Sequence, residues 1–300
     1  MRILITGATG FLGRNLIRLL LKENHTVTAI GRSMEKLKDC FPIDTIYKRV
    51  TDYSVESLTN LLENQEVVIH LASQLMQRDT DPVKISSFSS NLQIVENLVI
   101  ACNKNETPKF INTSTISVYP LMKDLQETQT PAPSTIYGVS KANIDIYLSY
   151  IQKKISTKII SLRLARLYGY GERDGLMFTD FVNKARNKET LTINGQGKST
   201  IEYIYIEDAI EAISNVAKNH EIEGAFNVGT GTSYSVKVIA ETVNQVFENE
   251  GNVAYLADKP DGIIGSEMNV SKIKTDLNWS VKWNLLQSVQ DIKRNIENEE

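Results

Sequence analysis

Apolar residues along this chain recur in two alternating periods. Residues 2 to 6 (RILIT) are a short β-rich run that passes straight into glycines, and the following FLGRNLIRLLLKEN carries its apolar residues at helical spacing. The alternation continues through TVTAI, an extended stretch near 43 to 50, and a helix for which Ser54 or Asp52 is the cap. VVIHLA, a long helix through NLQIVENLVIAC, KFINTST, a helix from Ile136 to about Lys154, and TKIISLRLA follow. Strands that are continuous apolar runs belong to a parallel sheet covered by helices on both faces. Up to about Leu164 the pattern therefore predicts an α/β fold with a doubly wound parallel sheet.

After Arg163 the alternation weakens. Glycine-rich loops (YGYGERDG, INGQGKST) interrupt short strands and helices, and the tail SKIKTDLNWSVKWNLLQSVQDIKRNI reads as two amphipathic pieces. We expect residues 1–164 to form the dinucleotide-binding domain. Residues 165–300 are expected to form mainly a smaller C-terminal substrate-binding lobe, with some segments returning to the sheet. No internal repeat stands out.

Composition narrows the partners. With 33 basic and 36 acidic residues well mixed, the net charge of -3 gives no basic face for nucleic acid and no polybasic membrane patch. MRILITGATG reaches glycine too soon for an apolar signal core, and no run of 18 apolar residues appears later, so a soluble cytoplasmic protein is expected. Cys40 and Cys102 lack the spacing of a disulfide framework or zinc site and are expected to be reduced. His25, His70 and His220 are scattered without metal-ligand spacing, so no metal site is expected.

Gly7, Gly10 and Gly13 of GATGFLG leave the first strand and enter the first helix, where backbone N–H groups and the positive helix end favour a pyrophosphate. The strand, turn and helix around the glycines favour a dinucleotide over a purely structural turn. Where an NAD site usually carries an acid for the ribose hydroxyl, the second strand ends AIGRS and presents Arg32. An arginine there accommodates a 2′-phosphate, which favours NADP over NAD. Ser33 either donates beside Arg32 or caps the helix MEKLK, and Asp52 either accepts from the adenine amino group or caps its helix.

Y-x-x-x-K occurs four times, at Tyr119/Lys123, Tyr137/Lys141, Tyr150/Lys154 and Tyr255/Lys259. Pro120 sets the first pair in a turn, and the last lies in a polar segment ending in Pro260. Ligands of doubly wound sheets bind outside the carboxyl ends of the strands, where crossover helices begin, so Tyr137 is beside the cofactor and Tyr150 is remote. A lysine one turn on stabilises a phenolate whose ordinary pKa is about 10. The small Gly138, Ser140 and Ala142 are expected to leave room for cofactor and substrate. Thr115, at the end of the hydroxyl-rich fifth strand, is placed to hydrogen-bond the reacting oxygen.

GATGFLG, VIHLAS at 68 to 73, Asn91 opening a helix, TSTISVY before YGVSK, LRLARLYG, IEYIYIEDAIEAI and GAFNVGTG together resemble the extended short-chain dehydrogenase/reductases, the NAD(P)-dependent epimerase/dehydratase family, over nearly the whole chain. The resemblance implies a Rossmann-type sheet and a cofactor reached by Gly7, Gly10, Gly13, Arg32, Asp52, Ala72, Asn91 and Lys141. Thr9, Phe11, Leu12, Ser33, Leu71, Ser73, Thr113 and Tyr137 complete the expected cofactor site. It implies Tyr137 as general acid/base assisted by Thr115 and Lys141, hydride exchange at a sugar-like carbinol carbon, and a homodimer through helices equivalent to 91–104 and 136–153.

Two departures narrow the function. Dehydrating relatives carry Asp-Glu after the active-site threonine, but Ile116 and Ser117 stand here, which disfavours dehydration. Relatives holding a nucleotide diphosphate show an arginine and an asparagine at the positions of Ile201 and Arg166, so Arg166, Lys198 or Lys259 is expected to supply the charge. The expected activity is that of an epimerase or ketoreductase of a nucleotide-linked sugar. A reductase of a non-nucleotide alcohol or ketone, and a dinucleotide sensor without turnover, are the alternatives.

Overall fold

The computed structural model describes residues 1–42, 44–73, 86–262 and 264–299. The first half runs β1 (Arg2–Thr6), α1 (Phe11–Lys22), β2 (Thr26–Gly31), α2 (Met34–Cys40), β3 (Tyr47–Val50), α3 (Val55–Leu62), β4 (Val67–His70), α4 (Ser86–Lys104), β5 (Lys109–Thr115), α5 (Ile136–Ile151) and β6 (Lys158–Leu164). Then come β7 (Arg166–Tyr168), α6 (Met177–Arg186), β8 (Leu191–Asn194), β9 (Thr200–Ile201), β10 (Tyr203–Tyr205), α7 (Ile206–Lys218), β11 (Gly224–Val228), β12 (Tyr234–Ser235), α8 (Val236–Val246), β13 (Val253–Leu256), α9 (Ser271–Leu277) and α10 (Leu285–Glu297).

Among the described residues, seven strands form one parallel sheet in the order β11-β6-β5-β4-β1-β2-β3. Successive side chains of β1 explain why the strand reads as an unbroken apolar run. Ile3 and Ile5 pack with Leu16, Ile17 and Leu20 of α1, whereas Leu4 packs with Leu58, Val95 and Leu98 of α3 and α4 on the other face. The strand order reverses between β1 and β4, and that switch point opens the crevice in which such sheets bind ligands. β11 joins the sheet beside β6 although it lies far beyond Leu164. Among the described residues no helix is long and apolar enough to cross a membrane.

The expected elements differ from the observed ones at two ends. The third strand is confined to Tyr47–Val50, and α4 starts at Ser86, which places Asn91 inside the helix rather than opening it. The run SSFSS before Asn91 lacks apolar periodicity, so its helical state left no pattern in the sequence.

Candidate active site

The turn after β1 is built by contact between two loops at the switch point. Gly7 has φ +67, and a Cβ there would lie 2.6 Å from the backbone nitrogen of Ala72, which follows β4. Thr6 ties the same loops together. Its hydroxyl accepts from the N–H groups of Leu71 (3.2 Å) and Ala72 (3.1 Å), so its own proton goes to Nδ1 of His70 at 2.7 Å. Burial pushes the His70 imidazole down to about 3, and it stays neutral as a structural group of the strand end.

Helix α1 begins at Gly10 without a side-chain cap, so its first-turn N–H groups are left for a ligand. They face a cavity of about 1530 Å³ that runs along the carboxyl ends of the strands. Gly7, Thr9, Gly10, Phe11, Leu12, Gly13, Arg32, Ser33, Leu71, Ala72, Ser73, Asn91, Thr113, Thr115, Tyr137, Lys141 and Arg166 all line it. Among the described residues the hydroxyl of Ser73 is buried without a partner on this wall. An uncapped helix start, a close-packed glycine turn and an orphaned hydroxyl fit a dinucleotide phosphate chain.

At the far end of the first strand pair, exposed Arg32 lies over the Tyr53 ring at 5.7 Å, and Ser33 caps α2 by accepting from Lys36 N at 3.3 Å. Lys36 lines the cavity beside them, a second cation that the sequence reading did not single out. Asp52, by contrast, is exposed, accepts from Ser54 N at 2.9 Å and stands off the cavity lining. Ser54 is the cap of α3.

The four Tyr/Lys pairs part company in space. Tyr119 is buried and donates to Asn227 Oδ1 at 2.7 Å; Lys154 lies over the exposed Tyr150 ring at 5.0 Å; Tyr255 and Lys259 are exposed. Tyr137 opens α5 beside the cavity, behind an N-cap in which Thr135 Oγ1 accepts from Gly138 N at 3.0 Å. Lys141, one turn on and 3% exposed, donates from Nζ to the Thr113 carbonyl at 2.8 Å. Desolvation pushes the Tyr137 phenol up to about 12 and draws the Lys141 ammonium down to about 8. Thr115 Oγ1 accepts from Ser117 N at 3.2 Å in the turn that follows β5.

The small residues of α5 have a different cause from the expected one. A Cβ on Gly138 would lie 2.2 Å from the Ser117 carbonyl oxygen and 2.8 Å from Pro133 Cβ, and Ser140 and Ala142 are buried. They make room for protein, not ligand. Residues the sequence reading missed complete the other half of the cavity: Arg14, Glu172, Arg173 and Glu202. Burial pushes Glu172 up to about 7 against the pull of Arg166 and Arg173. The Glu202 carboxylate is occupied by the N–H groups of Gly231 (2.9 Å) and Met268 (2.7 Å). Ile116 and Ser117 line the wall where a second acid–base pair would be needed for elimination. Lys198 and Lys259 are exposed and stand outside the lining.

Residues 3–229 match the model of the NAD dependent epimerase/dehydratase family. A dTDP-4-dehydro-6-deoxyglucose reductase of Escherichia coli is 26% identical over 295 residues, spanning 92% of this chain and 92% of the relative. The crystal structure of a UDP-N-acetylglucosamine 4-epimerase from Bacillus cereus superposes with a TM-score of 0.86 at 29% identity, covering 99% of this chain and 96% of that one. A UDP-glucuronic acid 4-epimerase from Bacillus cereus, solved with UDP-glucuronic acid and NAD, gives 0.85 at 25% identity, covering 99% and 100%.

Proposed function

This chain belongs to the NAD dependent epimerase/dehydratase family of extended short-chain dehydrogenase/reductase enzymes, and on that premise we propose that it is an NADP-preferring epimerase or 4-ketoreductase of a nucleotide-linked sugar. The observation that carries the reading is the convergence on one cavity of the uncapped α1 turn, Arg32, and the Thr115, Tyr137 and Lys141 side chains. When bound, the nicotinamide cofactor supplies or takes the hydride. Tyr137 Oη gives its proton to the substrate oxygen in reduction and takes it back in oxidation. A phenol near 12 keeps its proton at neutral pH, so it starts reduction in the form that can give a proton, and the oxidative direction, which needs the phenolate, depends on the positive charge that Lys141 holds one turn away. Thr115 Oγ1 orients the same substrate oxygen.

Arg32, Ser33 and Lys36 support NADP, since two cations and a hydroxyl suit a 2′-phosphate. Arg166 and Arg173, with Arg14 nearby, support a diphosphate-bearing substrate in place of the lysines expected there. Ile116 and Ser117 weigh against dehydration. A homodimer through α4 and α5, which pack side by side, accounts for Ile100, Ile146 and Tyr150 being exposed on their outer faces.

The test begins with the purified protein: denature it, identify any released nucleotide, titrate the apo form with NADPH and NADH, and assay a panel of nucleotide sugars and their 4-keto forms. Exchangeable binding with NADPH preferred and a Tyr137→Phe variant that binds cofactor but loses at least about 100-fold in turnover are the expected results. Full turnover by that variant would remove Tyr137 from its role.

A further inference from the structure

Asp145 lies on α5 one turn after Lys141 and two turns after Tyr137, and it is 6% exposed. Both its oxygens are engaged. Oδ1 accepts from Ser161 Oγ of β6 at 2.5 Å, and Oδ2 accepts from Ser114 Oγ of β5 at 3.0 Å and from Arg163 Nε of β6 at 2.9 Å. Arg163 in turn donates to Tyr119 Oη (2.7 Å) and to the Glu127 carbonyl (2.9 Å), tying the carboxylate to the segment that borders the cavity after β5.

Resting on the reading of Tyr137 and Lys141 as the proton-transfer pair, we propose that Asp145 is the positioning residue of that pair: its carboxylate fixes α5 in register on β5 and β6 and sustains the ammonium form of Lys141. Two consecutive residues of β5 are gripped from this one helix, Thr113 by Lys141 and Ser114 by Asp145, and the next residue is Thr115. The register of α5 thereby sets where Tyr137 meets Thr115. The same carboxylate acts through its charge. The groups around Lys141 are Tyr137 and Asp145 on α5, the Thr113 carbonyl on β5, neutral His70 on β4, and Arg163 on β6, which is bound to Asp145. Among these described groups Asp145 supplies the negative charge, and its field opposes the desolvation that draws the Lys141 ammonium down.

The test needs no substrate. In the full chain labelled with 13C at lysine Cε, the Lys141 resonance is assigned by its loss in Lys141→Arg and followed by NMR through a pH titration. Asp145→Asn, nearly isosteric, is expected to lower the Lys141 midpoint by about 1 pH unit, and Asp145→Glu is expected to bring it back toward wild type. An unchanged midpoint in folded Asp145→Asn protein overturns the proposal. Should that variant fail to fold because Arg163 is left buried and unpaired, the Lys141 midpoint is compared between Arg163→Gln and Asp145→Asn/Arg163→Gln, which differ only in the carboxylate, and an equal midpoint in those two overturns the proposal. Full activity of Tyr137→Phe would instead sink the proton-transfer reading and leave the Lys141 midpoint unmoved, so the two failures are distinguishable.

Discussion

Gly138→Ala isolates how closely α5 is seated against the turn after β5. The added Cβ would sit 2.2 Å from the Ser117 carbonyl oxygen, where ordinary contact begins at 3.4 Å, so α5 and the turn after Thr115 must part by about 1 Å. Relaxation is limited on both sides: Gly138 N is held by Thr135 Oγ1, and Lys141 is held by the Thr113 carbonyl. Elsewhere in a helix alanine would gain up to about 1 kcal/mol over glycine. Here overpacking costs about 1–3 kcal/mol, which at the full alanine gain leaves a net loss of up to about 2 kcal/mol and a fall in Tm of up to roughly 6 °C. Because the displacement separates Tyr137 from Thr115, kcat is expected to fall about 100-fold while NADPH or NADH binding at the α1 turn is retained. Thermal unfolding, fluorescence titration of the reduced cofactor and steady-state turnover read the three effects separately. A variant as stable and as active as wild type would refute the steric account.

Arg32→Ala is expected to weaken NADPH binding about tenfold and leave NADH within a factor of two, measured by the same titration; equal losses for both would assign Arg32 a structural role at Tyr53. Lys141→Met should abolish turnover and raise stability at pH 7. With the folded-state pKa at about 8 against 10.5 unperturbed, the ceiling is roughly 3 kcal/mol, less about 1 kcal/mol for the lost bond to Thr113. The sign follows from the lowered value: the burial cost of the ammonium is complete below pH 8, and wild type recovers it between pH 8 and 10.5 as the folded amine loses its proton first. A stability gap that stays constant over that range contradicts this. Ile146→Lys, on the 59%-exposed outer face of α5, is expected to convert a dimer to monomers in sedimentation velocity without changing cofactor affinity; an unchanged dimer would place the interface elsewhere.

The doubly wound sheet was legible in the sequence because its strands are apolar on both faces, as the split of Ile3 and Ile5 from Leu4 between two core layers explains. The glycine turn after β1 was legible because glycine, strand and helix stand within thirteen residues of the start, and Tyr137 with Lys141 because helical spacing puts them on one face and the strand before their helix puts its start at the carboxyl end of the sheet. Local order fixes each of these. What required the tertiary structure is whatever joins distant segments. The hydroxyls of Ser114 and Ser161 and the guanidinium of Arg163 read as strand trim until Asp145 gathers them. Glu172, Arg173 and Arg14 carry no spacing signal, and they share a wall because the loop after β7 packs near the start of α1, where Arg14 reaches the Gly171 carbonyl. The exclusion of Asp52, Lys198 and Lys259 from the lining had no sequence mark either, since a charged loop residue looks the same whether it faces solvent or a cavity. Gly138 shows the division within one position. Its smallness was visible in the sequence, but the reason for it, a carbonyl twenty-one residues earlier, exists only once β5 and α5 are packed together.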